Sequence, residues 1–171
     1  EQKFDVITLD VNMPVMDGST AIKHIMIKKP CPVVIISNTD RSAVGNIMDF
    51  LMLGAVDFVA KPVRGGNLAL QADRIAGKIR MAAAAGSSTI TRFKAPAVKE
   101  RDYDADADRK PVNKLVLILA GAGGHAEWFK IVCGLPENLD ACVLVLQTMP
   151  LDFTEPLAEY TAARSMAAVR A

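Results

Sequence analysis

Cysteine is scarce in this sequence, and its placement excludes the usual cysteine-based sites. Three cysteines occur, Cys31, Cys133 and Cys142, and no two of them form a C-x-x-C motif. This spacing is typical of neither a zinc site nor a redox-active pair, and an odd number does not suit a disulfide framework. We therefore expect three reduced and buried thiols, as in a cytoplasmic protein.

The sequence also has no long apolar run, few aromatic residues and no excess of charge of one sign. Its apolar runs are far shorter than the ~20 residues that a membrane-spanning helix needs. Its 20 basic and 19 acidic residues leave a net charge of +1, too little to attract nucleic acid or an anionic membrane. We expect no nucleic-acid partner, no membrane insertion and a cytoplasmic location. With 51% hydrophobic but only 5% aromatic residues, the core is expected to be aliphatic.

What the sequence does contain is a regular alternation of strand-like and helix-like patterns. In the first half, the predicted strands and helices alternate at 4–10, 18–29, 31–37, 43–54, 55–60 and 67–85. Apolar strands separated by helices are typical of βαβ units with a parallel sheet. The first half is therefore predicted to have an α/β fold.

A polar segment interrupts this alternation, and a second α/β unit follows it. Residues 86–111 are rich in serine, proline and alternating charges, which is typical of a flexible linker. Beyond it, a strand, a helix, a strand and a final helix are predicted at 113–120, 123–134, 141–147 and 152–171. Thr154 provides a capping signal for the final helix. We therefore divide the chain into a first domain at 1–83, a flexible linker at 84–112 and a second domain at 113–171.

Polar side chains end all three predicted strands of the first half. Asp10 ends the first strand, Ser37 ends the second and Lys61 follows the third. The carboxyl ends of parallel strands form the edge at which α/β sheets bind ligands. A carboxylate, a hydroxyl and an ammonium group at one edge would surround a small anion such as a phosphoryl group. This edge is the first candidate site.

Three motifs of the first half resemble the receiver domains of response regulators. They are D-V-N-M-P-V-M-D-G at 10–18, P-V-V-I-I-S at 32–37 and G-A-V-D-F-V-A-K-P at 54–62. The amino-acid sequence of these motifs is most similar to the receiver domain of the chemotaxis methylesterase family, CheB. The resemblance implies a flavodoxin-like fold, of which this chain would hold strands 3-4-5 of the family.

The same resemblance implies a role for each polar residue at the strand ends. Asp10 matches the phosphorylated aspartate of receiver domains, and Ser37 matches the hydroxyl residue that contacts the phosphoryl group. Phe58 matches the switch aromatic residue, and Lys61 matches the phosphoryl-contacting lysine. The implied reaction is the transfer of a phosphoryl group to Asp10.

The resemblance also implies a magnesium ion, although the sequence holds only part of its ligand shell. Receiver domains begin with a strand that ends in two acidic residues, and no such strand precedes Phe4. Of the implied ligands, Asp10 and the backbone carbonyl of Asn12 remain. Magnesium requires six oxygens in near-octahedral geometry, so we expect that this chain binds none. Since it starts at Glu1 inside the pattern, we expect a segment of a longer protein, incomplete at both ends.

The second half resembles the esterase domain of the same family. CheB esterases carry G-A-S-T-G-G after a strand, with the serine as nucleophile, and a later Q-H-M-P motif that contains the catalytic histidine. This sequence has G-A-G-G at 121–124 and Q-T-M-P at 147–150. Gly121 thus occupies the nucleophile position and Thr148 the histidine position. Without a nucleophile and a base, serine-esterase chemistry fails, and the chain is expected to be catalytically inactive.

Together, the resemblances predict a chemotaxis two-component protein similar to the phosphorylation-controlled protein-glutamate methylesterases. Its expected architecture is an incomplete flavodoxin-like receiver followed by the N-terminal part of a doubly wound parallel-sheet esterase domain. The implied partners are a histidine kinase and the methylated chemoreceptors. Two alternatives remain open: a non-catalytic receiver-type adaptor, and a nucleotide-binding protein that uses the Gly121–Ala126 turn, which matches G-x-G-x-x-A between a strand and a helix.

Three further side chains receive structural interpretations. His125, on the first turn of a predicted helix, could bind an anion together with the helix N-terminus, but we predict an exposed surface histidine. His24 is likewise predicted to lie on an exposed helix face. Trp128 has the helical spacing of a packing residue rather than of a substrate-stacking one.

Overall fold

Strands and helices alternate along the whole described part of the chain. The computed structural model describes residues 3–37, 43–62, 65, 67–90, 92, 94–99 and 111–171. The elements are β1 (Ile7–Asp10), α1 (Gly18–Lys28), β2 (Val33–Ser37), α2 (Ala43–Met52), β3 (Asp57–Ala60), α3 (Leu68–Ala85), β4 (Leu115–Ala120), α4 (Gly124–Cys133), β5 (Cys142–Gln147) and α5 (Thr154–Ala162), with 3-10 turns at Ser87–Thr89 and Leu151–Phe153. The predicted order of elements is confirmed. Among the described helices, none combines the length and apolarity needed to cross a membrane.

The first half forms a three-stranded parallel sheet with the strand order β1-β2-β3. β1 pairs with β2 so that Asp10 lies opposite Ile36, and β2 pairs with β3 so that Ser37 lies opposite Ala60. The central strand β2 is almost entirely buried, as expected for an apolar strand covered by helices on both faces of a parallel sheet. The α/β fold with a parallel sheet is therefore confirmed.

The second half forms a separate two-stranded parallel sheet, β4-β5. α4 connects the two strands, which pair in register from Leu115 opposite Cys142 to Ala120 opposite Gln147. Much of this sheet is solvent-exposed, and the exposed apolar side chains are Leu115, Val116, Leu117, Leu119, Leu144 and Leu146. The strand–helix–strand unit predicted for the second half is confirmed.

One hydrophobic core spans both halves of the chain, because α2 contacts both α4 and α5. The expectation of an aliphatic core is correct for β2 but wrong for the contact between the halves. Aromatic rings meet there: the ring centroids of Phe58 in the first half and Phe153 in the second half are 4.7 Å apart. A further aromatic pair, Phe129 and Tyr160 with centroids 5.7 Å apart, lies within the second half. Large planar side chains bury much area each, so a few of them suffice to join the halves.

Local capping residues explain where the helices of the first half begin and end. The Asp17 carboxylate accepts a hydrogen bond from the Thr20 amide at 2.7 Å and caps α1, and the Asn67 side chain accepts one from the Leu70 amide at 3.1 Å and caps α3. Gly54 follows α2 with φ of +113°, a conformation that favours glycine after a helix. The three helices agree within two residues with the bounds predicted at 18–29, 43–54 and 67–85.

The final helix is shorter than predicted. The sequence predicts a helix over 152–171, whereas α5 spans Thr154–Ala162 and follows a 3-10 turn. Thr154 is the first helical residue rather than the cap, and the cap position, Phe153, makes no side-chain hydrogen bond. Pro156 lies in the first turn, where its missing N–H costs no helical hydrogen bond.

The chain after α5 is held against α4 instead of continuing as a helix. The buried hydroxyl of Ser165 donates to the Val132 carbonyl at 3.0 Å and accepts from the Ala167 amide at 3.1 Å. Serine side chains that bond to the backbone in this way compete with helical hydrogen bonds. This contact is the physical reason why the prediction of a longer helix is wrong.

The segment predicted as a flexible linker, 84–112, is partly structured. Helix α3 extends to Ala85, just beyond the predicted start of the linker. Ile90 and Ala95 contact the hydrophobic core. The Lys99 amide donates to a backbone carbonyl just after α5 at 2.9 Å. Residues 100–110 lie outside the described residues, so the linker and the domain boundaries stay predictions.

The prediction of three buried thiols is correct for two cysteines and wrong for the third. Cys31 and Cys133 are buried, whereas Cys142 is exposed, because it lies at the start of β5 in the sparsely covered two-stranded sheet. Burial raises the pKa of the Cys31 thiol and of the Cys133 thiol. Cys142 is therefore the accessible thiol of the described chain.

Candidate functional site

Asp10 and Lys61 lie in direct contact at the carboxyl edge of the three-stranded sheet. The Lys61 ammonium donates to Oδ2 of Asp10 at 2.7 Å, and the Asn12 amide donates to Oδ1 at 3.1 Å. The hydrogen bond from Lys61 is the main cause that holds the pKa of Asp10 below its usual value. The two side chains are 36% and 35% exposed. The edge therefore presents an accessible carboxylate anion beside a cation.

Ser37 lies at the same edge, at the end of the central strand. Its side chain is buried, and its carbonyl accepts a hydrogen bond from the Lys61 amide at 2.8 Å. The parallel register brings the ends of β1, β2 and β3 level with one another. The structure thus places at one edge the carboxylate, the hydroxyl and the ammonium group that the sequence pattern indicated.

Gly18 allows the loop after β1 to stay close to Asp10. Its amide donates to the Val11 carbonyl at 3.2 Å. A Cβ at this position would lie 2.9 Å from the Asp10 carbonyl oxygen and 3.1 Å from the Cα of Val11. Glycine is therefore required where α1 begins beside the site, since any larger residue would push the loop and the backbone of Asp10 apart.

The same loop contains a strained residue. Val15 has φ of +72°, which is rare for a β-branched residue. The Met16 amide donates to the Pro14 carbonyl at 2.9 Å and closes a three-residue turn around Val15. Backbone strain of this kind is often found at functional sites, and here it lies in the loop that borders Asp10.

Phe58, three residues before Lys61, connects this edge of the sheet to the second half. Its ring is buried and lies 4.7 Å from the ring of Phe153 and 5.7 Å from that of His125, measured between centroids. The Lys78 ammonium lies 5.4 Å from the centre of the Phe58 ring. The end of β3 therefore contacts Asp10 through Lys61, while its middle packs against α4 and the turn before α5.

Sequence reasoning missed a buried ion pair beside Phe58. Oδ1 of Asp57 accepts hydrogen bonds from the Lys78 ammonium and from the Phe58 amide, both at 2.7 Å. The Lys78 ammonium also lies 3.4 Å from the Thr148 carbonyl in the second half. The available signal was an acidic residue inside the apolar run A-V-D-F-V-A, because a buried carboxylate needs a partner.

Among the described residues, the oxygen donors around Asp10 form only part of a magnesium shell. Within the described ranges, no group of three or more acidic, histidine or cysteine side chains is placed to hold a metal ion. Asp10 and Asn12 offer one carboxylate and one carbonyl, and both carboxylate oxygens already accept hydrogen bonds. Because magnesium requires six oxygens in a near-octahedral shell, this donor set does not fit the ion.

The glycine turn of the second half is docked on the first half. Gly123 has φ of +84°, and its amide donates to the Val56 carbonyl at 2.6 Å. The Gly124 amide donates to the Gly121 carbonyl at 3.0 Å. A phosphate-binding turn presents free amides to its ligand, and these two amides are already used. The geometry therefore does not favour the nucleotide-binding alternative.

Gly121 and Thr148 line one shallow cavity at the carboxyl ends of β4 and β5. The other lining residues are Leu119, Ala120, Leu146 and Gln147. A Cβ on Gly121 would meet no atom within 4 Å, and the Gln147 amide group donates to the Gly121 carbonyl at 3.4 Å. The positions aligned with the esterase nucleophile and histidine thus lie together, but none of the lining residues has a basic nitrogen to activate a hydroxyl.

The prediction of an exposed His125 is wrong. Its side chain is 1% exposed, and burial is the main cause that lowers its pKa to about 4. Neither ring nitrogen has a hydrogen-bond partner in the described part of the chain. The ring faces β3 because α4 begins at the turn that binds the Val56 carbonyl. His24 is exposed and Trp128 is buried, as predicted.

Comparison with protein families and solved structures identifies similar proteins for the first half. Residues 1–73 match the response regulator receiver domain. The solved response regulator domain of Thermotoga maritima CheB is 36% identical, with a TM-score of 0.41. The match covers 47% of this chain and 61% of that chain.

Relatives with a longer match cover both halves. The chain is 40% identical over 163 residues to protein-glutamate methylesterase/protein-glutamine glutaminase 2 of Carboxydothermus hydrogenoformans. It is 40% identical over an alignment of 172 positions to the protein-glutamate methylesterase/protein-glutamine glutaminase of Caldanaerobacter subterraneus, and 38% identical over 158 residues to that of Archaeoglobus fulgidus. The matches cover 90%, 93% and 92% of this chain but only 45%, 46% and 45% of the relatives. The chain therefore spans less than half the length of these relatives.

Proposed function

We propose that this is a chemotaxis signalling protein that accepts a phosphoryl group on Asp10. Residues 1–73 belong to the response regulator receiver family, and 90% of the chain is related to protein-glutamate methylesterases of the CheB type. The observation that carries the proposal is the 2.7 Å contact between Asp10 and Lys61 at the carboxyl edge of the sheet. An anionic carboxylate beside a cation is the arrangement that a phosphoryl acceptor needs.

The groups at this edge match the requirements of phosphoryl transfer. The lowered pKa keeps Asp10 anionic, so a carboxylate oxygen can attack the phosphorus of a phosphohistidine. The P–N bond breaks, and the leaving imidazole takes up a proton. The Lys61 ammonium then balances the charge of the phosphoryl oxygens, and the Ser37 hydroxyl at the adjacent strand end donates a hydrogen bond to them.

Magnesium neutralises phosphoryl charge in receiver domains generally, and here its ligands are incomplete. Asp10 and the Asn12 carbonyl are the described residues that match its ligands, and they do not make a six-oxygen shell. We propose that this chain by itself does not bind magnesium at physiological concentration. Efficient phosphorylation of Asp10 then requires further carboxylates beside it.

A phosphorylation assay with two forms of the protein tests this proposal. Acetyl phosphate and magnesium are added to the chain and to a fusion in which the first strand, helix and second strand of a receiver domain, with their acidic pair, precede residue 1. We expect phosphoaspartate at Asp10 by mass spectrometry in the fusion, at least about tenfold more than in the chain alone. Phosphorylation of the fusion that survives Asp10→Asn would contradict the assignment.

We further propose that the second half has the strands and helix of a methylesterase domain but lacks the catalytic nucleophile and base. Gly121 has no side chain and Thr148 has no basic nitrogen, although the two residues share a cavity. A serine hydrolase needs a nucleophile, a base and a group that orients the base. We expect no methanol release from methylated receptor glutamates above background, measured by gas chromatography. Release that persists in Gly121→Val would show that another site acts.

The family indicates the partners: a histidine kinase as phosphoryl donor and methylated chemoreceptors as binding partners in the cytoplasm. If the second half is inactive, the output of the receiver is a binding event, as in a non-catalytic adaptor. The backbone amides of Gly123 and Gly124 already donate hydrogen bonds within the protein. This favours the adaptor function over nucleotide binding. Equilibrium dialysis against NAD and ATP should therefore detect no retention, and retention of either nucleotide would reverse the preference.

A further inference from the structure

One buried, uncharged histidine lies at the contact between the two halves. His125, on the first turn of α4, is 1% exposed. Its two ring nitrogens lack a hydrogen-bond partner throughout the described ranges. A buried polar group without a partner is costly and calls for a reason. Neither phosphoryl transfer to Asp10 nor the chemistry of the glycine turn uses this side chain.

The groups that face His125 belong mainly to the first half. Its ring meets the Phe58 ring at 61°, edge to face. The charged groups that act on it are Asp57 on β3, which favours the protonated imidazole, and Lys78 on α3, which disfavours it. The backbone carbonyl of Val56 also favours the protonated form, but burial outweighs both favourable groups. Asp57 is already shared between the Lys78 ammonium and the Phe58 amide. A proton on His125 would therefore add a second cation to a buried site whose carboxylate is in use.

We propose that the docking of α4 on the first half is an acid-sensitive switch, in which protonation of His125 releases α4 and the glycine turn from β3. A buried imidazolium ion requires water or an anion of its own, and the nearby Asp57 carboxylate already accepts hydrogen bonds from Lys78 and the Phe58 amide. The hydrogen bond from Gly123 to Val56 lies two residues before His125 and is lost with it. The switch does not depend on Asp10 and is independent of phosphorylation.

The direction of the pH dependence follows from the burial of the imidazole. Burial lowers the pKa of His125 from 6.5 to about 4 in the docked state, whereas the released state has the ordinary value. The released state thus binds more protons between these pH values. Docking is complete above the ordinary pKa and weakens up to tenfold for each pH unit below it. At pH 4 the docking equilibrium is weaker by about 160-fold, and the loss levels off near about 300-fold at lower pH.

Trp128 allows this release to be measured without a label. It is the single tryptophan of the chain, and it is buried on α4. We titrate the full chain from pH 8 to pH 4.5 and record tryptophan emission together with hydrogen exchange by mass spectrometry. The expected result is a red shift of the emission and faster exchange in α4, while β2 stays protected. Loss of protection in α4 and β2 at the same pH would indicate global unfolding and overturn the proposal.

The chain offers a matched control, because it has two histidines and one of them is exposed. His24→Gln, on α1, should leave the transition unchanged. His125→Phe, which keeps the ring contact with Phe58 but cannot be protonated, should abolish it. A transition that survives His125→Phe, or disappears in His24→Gln, would overturn the proposal.

A direct measurement covers the case in which the His125→Phe variant does not fold. Histidine ¹³Cε1 resonances of the unaltered chain, assigned with His24→Gln, report the titration of His125. We expect its apparent pKa to lie at least about one unit below the ordinary value of 6.5, with chemical shift changes of α4 residues over the same range. Titration of His125 at the ordinary value of 6.5 would show that the docked state does not exclude the proton.

Discussion

The amide of Gly123 donates a hydrogen bond to the carbonyl oxygen of Val56 across 2.6 Å. Val56 precedes β3 of the first half and Gly123 precedes α4 of the second, so this bond joins the halves at the glycine turn. The left-handed φ of +84° at Gly123 favours glycine over any other residue. A turn that resembles a nucleophile-bearing turn therefore serves in this chain as a docking contact.

The close approach at Gly124 predicts a destabilising substitution. In Gly124→Ala, the new Cβ would lie 2.8 Å from the Cβ of Ala120. Overpacking of this kind costs about 1–3 kcal/mol. For a chain of this size, we expect the midpoint of thermal unfolding to fall by roughly 2–4 °C for each kcal/mol, measured by circular dichroism.

Gly121 provides the matched control for this substitution. A Cβ at this position would meet nothing within 4 Å. Gly121→Ala should therefore be neutral or stabilise the fold by up to about 1 kcal/mol, because it restricts the unfolded chain. Equal loss of stability in the two variants would show that glycine is needed at both positions for backbone reasons.

The open space at Gly121 allows a serine, but we predict that Gly121→Ser gains no esterase chemistry. Thr148 offers no base for the new hydroxyl, and in the double variant Gly121→Ser with Thr148→His none of the residues that line the cavity has a carboxylate to orient the histidine. Neither variant should react with a fluorophosphonate probe above the unaltered chain, as read by in-gel fluorescence. Labelling of the single variant would mean that another residue acts as the base.

The ion pair at the sheet edge predicts the titration of Asp10. Lys61 donates the hydrogen bond that is the main cause of the low pKa of this carboxyl, so Lys61→Met should raise that pKa toward the ordinary value of 3.8. Carboxyl ¹³C chemical shifts of Asp10 measure it. Lys23→Met, on an exposed face of α1, should leave it unchanged.

The lowered pKa of Asp10 also determines how the stability contributed by this ion pair changes with pH. A carboxyl whose pKa is lower in the folded state stabilises the fold above its unfolded pKa, and this contribution is lost as the pH falls through the folded value. The stability difference between the unaltered chain and Lys61→Met should therefore shrink below about pH 4. A difference that grows toward acid pH would contradict the contact.

Removing the buried ion pair of Lys78 should lower the free energy of unfolding much more than removing the exposed ion pair of Lys114. Lys78 pairs with Asp57 at 2.7 Å, with the side chains 18% and 4% exposed. Lys78→Met leaves a buried carboxylate without its cation, which costs about 3–5 kcal/mol, measured by urea unfolding. Lys114 pairs with Asp140 at 3.2 Å, with both side chains more than 70% exposed, so Lys114→Met should change stability by less than about 1 kcal/mol. Similar values for the two variants would show that Asp57 is hydrated.

The sequence alone determined the order of strands and helices and the composition of the site at the sheet edge. Alternating apolar strands and amphipathic helices imply a parallel sheet, and parallel strands end at one edge. Asp10, Ser37 and Lys61 could therefore be placed together before the structure was known. The glycine positions and the Asp17 and Asn67 caps are local signals, since each depends on the backbone within a few residues.

Only the tertiary structure decided what the second half contacts. A helical pattern shows that α4 has an apolar face, but it does not say which element covers that face. For this reason His125 was predicted to be exposed, although it lies against Phe58. Lys78 is 21 residues from its partner Asp57, and the Ser165 hydroxyl that ends the last helical segment bonds to a carbonyl 33 residues earlier. Contacts over such distances depend on the packing of the folded chain, because nothing in the local sequence around either partner specifies the other.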